Sequence, residues 1–157
     1  MRRMFTRIGS VAAIAMLSVT LAQPTMAAPV QTHSVAAQRS VDRPAYFEMT
    51  DYSRQIFVIK LTNDEDIQHA RDLLSGATDE RPHIIARINK YPAPYNSYWD
   101  FHVDPATVGF FDFAIEVCDA TIPYVNDHID EVGGAFLPGR VWCDWSSRLV
   151  REIPAPQ

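Results

Sequence analysis

Asp100, His102 and Asp104 alternate along the stretch YNSYWDFHVDP (residues 95–105), and Asp112 and Glu116 follow shortly after. One imidazole among carboxylates is a donor set for a divalent cation, or a His–Asp pair for proton transfer. The metal-ligand candidates are His102, Asp104 and Glu116, and a hydrolase using the same cluster is the related reading. The competing reading is simpler, because charged residues at alternate positions also mark the wet face of a half-exposed strand. On that reading no residue is catalytic and no cofactor is needed. The polar stretch then belongs to a contact surface of Tyr95, Asn96, Trp99 and Asp100. The C-terminal segment RVWCDWSSRLVREI adds Trp142, Trp145 and Arg148 to it, since tryptophan with arginine is the composition of binding hot spots. Serine-nucleophile elbows, phosphate-binding glycine loops and EF-hand spacing do not occur in the sequence.

The elements that must position these groups follow from periodicity. Trp99, Phe101 and Val103 alternate with the three polar residues, which predicts a strand with one apolar face. Phe111, Phe113, Ile115 and Val117 alternate with Asp112, Ala114, Glu116 and Cys118, which predicts a second strand. A hairpin centred near Thr107 would place His102 opposite Asp112. A helix through 110–118 is the rival, on Phe110, Phe113 and Val117.

Upstream, residues 45–50 and 55–61 read as a hairpin turned at Asp51-Tyr52-Ser53. Thr62 or Asn63 caps a helix with acids in its first turn, an Ile67, Ala70, Leu73, Leu74 stripe and a stop at Gly76. His83–Asn89 reads as a strand. Thr121 caps a second helix with Pro123 in its first turn, running from Tyr124 to Val132 and ended by Gly133-Gly134. Residues 140–153 close the domain as a strand, or a strand plus turn. The order β-β-α-β-β-β-α-β predicts an α+β fold: an antiparallel sheet of five to six strands, with two helices packed on one face and one disulfide.

Arg2, Arg3 and Arg7 precede an apolar run from Ile8 to Ala22, with small residues at Thr25 and Ala27. This is the layout of a secretory signal peptide over residues 1–27, and it predicts a secreted, extracellular protein. Arg2-Arg3-Met4-Phe5 also resembles a twin-arginine signal, so the export route stays open. Residues 28–44 read as a flexible leader, 45–153 as a single domain and 154–157 as a tail.

The whole chain carries 14 basic and 19 acidic residues, a net charge of −5. Removing residues 1–27 removes three basic residues and no acidic ones, which leaves 11 against 19 and a net charge of −8. Such a chain is repelled by phosphate backbones, which argues against nucleic acid as a partner. No stretch of the mature chain is long and apolar enough for stable membrane insertion. The two cysteines, Cys118 and Cys143, are predicted to form a disulfide in an exported protein, with a free nucleophilic Cys118 as the alternative.

Four stretches together carry a family resemblance: Tyr95–Pro105, Glu116-Val117-Cys118-Asp119, Asp130-Glu131-Val132-Gly133-Gly134 and Trp142-Cys143-Asp144-Trp145-Ser146-Ser147-Arg148. The chain resembles a family of small secreted domains labelled calmodulin-binding proteins, which in some eukaryotes form the N-terminal domain of a longer binding protein. The resemblance covers about Tyr46 to Glu152. It implies a binding domain, brings no catalytic assignment, and carries calmodulin binding as a label; the partner expected from the residues themselves is a protein or surface ligand. A calmodulin target is a basic amphipathic helix with bulky anchors. Only residues 140–151 have that composition, and a disulfide at Cys143 would tie them to the sheet. The expectation is therefore a secreted recognition domain, with a metal-binding protein or hydrolase around His102 as the alternative and a structural or inhibitory module as a third class.

Overall fold

A computed structural model describes residues 43–156. The predicted signal peptide, most of the leader and Gln157 lie outside the described residues. Strands β1 (Ala45–Thr50) and β2 (Ile56–Leu61) form the expected hairpin, in register from Ala45 opposite Leu61 to Thr50 opposite Ile56. At the turn, the Asp51 carboxylate accepts from the Ser53 amide and hydroxyl. Helix α1 (Asp64–Ser75) starts where Asn63 accepts from the Glu65 and Asp66 amides. It stops at Gly76, whose φ of 75° suits a residue without a Cβ.

Strand β3 (His83–Asn89) is the hub of the second half. Strands β4 (His102–Val103), β5 (Gly109–Phe111) and, after helix α2 (Ile122–Asp127) and the small pair β6 (Val132–Gly133) and β7 (Phe136–Pro138), strand β8 (Val141–Asp144) surround it. All of β4, β5 and β8 pair antiparallel with β3. The last strand, β9 (Arg148–Ile153), returns to the first sheet, which has the order β2-β1-β9.

The fold is α+β, with antiparallel sheets, two α-helices and the Cys118–Cys143 disulfide. The large strands divide between two antiparallel sheets, because the chain crosses back at residues 145–147 instead of extending one sheet. One apolar cluster joins both sheets and both helices. Phe47 and Phe57, Ile88 of β3, Phe101, Ile122 of α2 and Trp142 of β8 are all buried in it. Phe57 stacks on Phe101 at 4.9 Å, and the Trp142 ring meets both edge-on. Among the described residues, no helix is long and apolar enough to cross a membrane.

Four sequence expectations are corrected. The strand expected from Trp99 to Asp104 is reduced to His102–Val103, and His102, expected on the polar face, is buried. The hairpin near Thr107 does not form. Val103 lies opposite Ile88 and Phe111 opposite His83, so β4 and β5 flank β3 and not each other. The cause is local: Asp104 caps a 3-10 turn at Pro105–Thr107, and the Thr107 hydroxyl takes the Arg87 amide. His102 therefore faces Asn89, while Asp112 accepts from the Arg81 amide at 2.7 Å. Next, the strand through Cys118 ends at Phe111, and Glu116–Cys118 is a 3-10 turn. Finally, α2 stops at Asp127. A 3-10 turn at Ile129–Glu131 follows, and Val132 already belongs to β6. Thr121 occupies the cap position without a side-chain bond, and the remote Asp51 carboxylate takes the Ile122 amide at 2.6 Å instead.

Candidate functional site

The segment between β5 and α2 is built to project apolar side chains. Its two ends are pinned: Asp112 holds the Arg81 amide, and Asp119 accepts from the Trp145 amide at 3.1 Å. Near its C-terminal end Cys118, 4 % exposed, is bonded to Cys143 of β8, and the Cys118 amide closes a tight turn onto the Ile115 carbonyl. Between these anchors Phe113 is 87 % exposed, Ile115 73 % and Val117 61 %. These three form a ridge beside a groove of about 400 Å³, floored by Ile85 of β3 and Val141 of β8 and walled by Ala114, Cys118 and Pro138. Exposed apolar surface of this kind is a candidate for an interaction site. Acids interleave with the ridge at Asp112, Glu116 and Asp119, all exposed.

Period-two alternation alone does not reveal this ridge, since it predicts that one face is covered. The available signal is the pairing of Cys118 with Cys143, which draws the C-terminal end of the segment to β8.

Of the residues expected to bind, three are interior. Asn96, 4 % exposed, accepts from the Val58 amide at 2.8 Å and donates to the Val58 carbonyl at 2.6 Å. Its amide thus imitates a neighbouring strand along the outer edge of β2. Buried Trp99 extends that cover by donating to the Ile56 carbonyl at 2.9 Å. Trp142 is 1 % exposed and donates to the Ala120 carbonyl.

Tyr95 is half-buried edge-on to Tyr46, and burial pushes its hydroxyl up to about 12. Asp100 is exposed, and its amide donates to the Asn126 side chain. Arg148 is exposed at the start of β9, beside a groove with α1 residue Leu73. Only Trp145 borders the ridge, edge-on to Phe111 at 5.9 Å and to Phe113 at 6.5 Å.

The metal-ligand candidates do not converge, and each is engaged elsewhere or stands apart. His102 is 7 % exposed. Its Nδ1 lies 2.7 Å from the Tyr91 carbonyl and its Nε2 3.2 Å from the Asn89 side-chain nitrogen. A neutral ring donating from Nδ1 and accepting at Nε2 satisfies both contacts. Asp104 is engaged as the cap of its turn, and Glu116 stands on the ridge. Among the described residues, no three His, Cys, Asp or Glu side chains converge to hold a metal ion.

A polar joint that the sequence does not announce lies at the foot of the ridge. Asp51 and Asp144 are each 1 % exposed. Asp144 Oδ1 accepts from the Ser146 amide and hydroxyl at 2.9 and 2.8 Å, while its buried Oδ2 has no partner among the described residues. Burial pushes the Asp144 carboxyl up to about 7, and the charges of Asp51 and Asp119 add to this. The joint ties the β1–β2 turn, the start of α2 and the end of β8 together.

The profile of the BP-74 N-terminal domain family matches residues 43–156. The match takes in every described residue, and the chain belongs to that family. No curated protein and no solved structure matches the chain.

Proposed function

We propose that this member of the family is an exported recognition domain that binds a protein partner on the Phe113–Ile115–Val117 ridge. One observation carries the reading: three large apolar side chains stand 61–87 % exposed on a segment fixed at both ends and by a disulfide. A free loop would lose entropy on binding, and a pinned one has already lost it. Covering each such side chain is worth about 1.5–3 kcal/mol before association costs are subtracted.

The interleaved acids give the partner its chemistry. It is a segment with bulky apolar residues for the groove and Lys or Arg beside them for Asp112, Glu116 and Asp119. Export rests on the signal-peptide pattern of residues 1–27 together with the disulfide. Calmodulin is a poorer fit. It takes basic amphipathic helices, whereas the basic segment of this chain is divided between β8 and β9.

The test is selection of short peptides from a random displayed library on the oxidised protein, followed by calorimetry of the enriched peptides. The reading predicts a basic-apolar consensus whose binding is lost in the Phe113→Ser/Ile115→Ser double variant. Peptides that bind the double variant as tightly as the parent would refute it, as would an acidic consensus.

A further inference from the structure

A second groove, of about 300 Å³, opens where the start of β2, the loop after the 3-10 turn Pro94–Asn96, and α2 meet. Its lining is Gln55, Tyr98, Trp99, Pro123, Asn126 and Asp127, none of which lines the ridge groove. Tyr98 is 81 % exposed, yet its ring is not loose. It stands edge-on against Trp99, with centroids 5.0 Å apart and planes at 88°. Trp99 is itself locked by its bond to the Ile56 carbonyl, and the Asp100 amide clips the loop to α2 through Asn126 Oδ1. The Asn126 Nδ2, the Gln55 side-chain amide and the Asp127 carboxylate have no hydrogen-bond partner among the described residues. The groove therefore sets an exposed aromatic ring, braced edge-on by Trp99, in one lining with two side-chain amides and a carboxylate that are free to bond.

We propose that this groove binds a neutral saccharide. A pyranose with equatorial hydroxyls has an apolar C–H face that can lie on the Tyr98 ring. Its vicinal hydroxyls both donate and accept, which matches side-chain amides and a carboxylate. A phosphate, a sulfate or an acidic sugar is disfavoured, because the lining holds Asp127 and no cation, and exposed Asp100 lies next in sequence to Trp99. A purely apolar ligand would strand the free amides and carboxylate against it. The groove is independent of the ridge, so either site can fail without the other.

The experiment is NMR titration of the oxidised protein with chitotetraose, with cellotetraose and with a heparin-derived tetrasaccharide. At least one neutral sugar should give saturable shifts centred on residues 55, 98, 126 and 127. Tyr98→Ala and Asp127→Ala should each weaken that binding by about tenfold or more, and Phe113→Ser should leave it unchanged. Both variants alter exposed side chains, and their melting curves should superimpose on the parent. The inference is overturned if neither neutral sugar produces saturable shifts at these residues. It also falls if Tyr98→Ala keeps the parent affinity, or if the sulfated tetrasaccharide binds best.

Discussion

Titration of the Asp144 carboxyl should make this fold more stable in mild acid than at neutral pH. In the unfolded chain the group titrates near 3.8, and in the folded protein burial and the neighbouring acids move it up to about 7. Between these values the folded state holds a proton that the unfolded state has released, so stability falls as pH rises across that window. Below the window both states are protonated and the contribution is complete. Above it both are ionised, and the folded protein carries a charge at a site that is 1 % exposed. The span between the two values corresponds to something on the order of 4 kcal/mol. In a domain of this size that is roughly 10–20 °C in melting temperature.

Asp144→Asn keeps an oxygen to accept from the Ser146 amide and hydroxyl and cannot ionise. Thermal melts of parent and variant from pH 4 to pH 8 should therefore diverge, with the variant flatter and the more stable of the two at pH 8. Glu152 works in the opposite sense. Its hydrogen bond from Arg71 lowers it on an exposed face, and the parent-minus-variant difference removes that contribution. Parallel pH profiles for the two proteins would refute the placement of a neutral Asp144 in the polar joint.

Other tests address the framework. Replacing both Cys118 and Cys143 by Ser opens a cross-link between residues 25 apart and should cost about 3.5 kcal/mol in denaturant unfolding. No loss would mean that the ridge is held by its hydrogen bonds alone. Asn96→Ala leaves both the Val58 amide and carbonyl unpaired at the outer edge of β2 and should cost about 2–4 kcal/mol. Asn96→Asp, which can still accept but not donate, should rescue little, and an unfolding midpoint equal to the parent's in either variant would argue against the edge cover. His102→Ala should lower the melting temperature by a few degrees through loss of its bonds to Tyr91 and Asn89. Added Zn²⁺ or Mn²⁺ should stabilise neither protein, and a metal-induced rise in the parent that the variant loses would restore the His102 metal reading.

Much of the frame was legible because its signals are local. Asn63, the acids after it and Gly76 bracket α1 within one sequence window, and they form the caps that their chemistry favours. The alternation marks Trp99, Phe101 and Val103 as core residues, although only His102–Val103 is strand and His102 is buried with them, and the two cysteines pair. What the sequence hid depends on partners far along the chain. The Asn96 side chain covers a strand edge 38 residues away, and the Asp51 carboxylate caps a helix 71 residues away. Nothing near either residue announces the task. The ridge is hidden for a related reason. A strand and a pinned turn can share period-two patterning, and only tertiary packing decides whether its apolar side is covered. Trp99 and Trp142 went to the interior because each indole N–H finds a backbone carbonyl there.

Docking of a protein segment on the ridge is tested by mapping where a bound peptide sits. An enriched basic-apolar peptide, titrated into labelled protein, should shift amide signals at residues 112–118 and at Ile85 and Val141, around the apolar groove. Those shifts should vanish in the Phe113→Ser/Ile115→Ser double variant while its fold is retained. Shifts that gather elsewhere, or that persist in the double variant, would contradict the account.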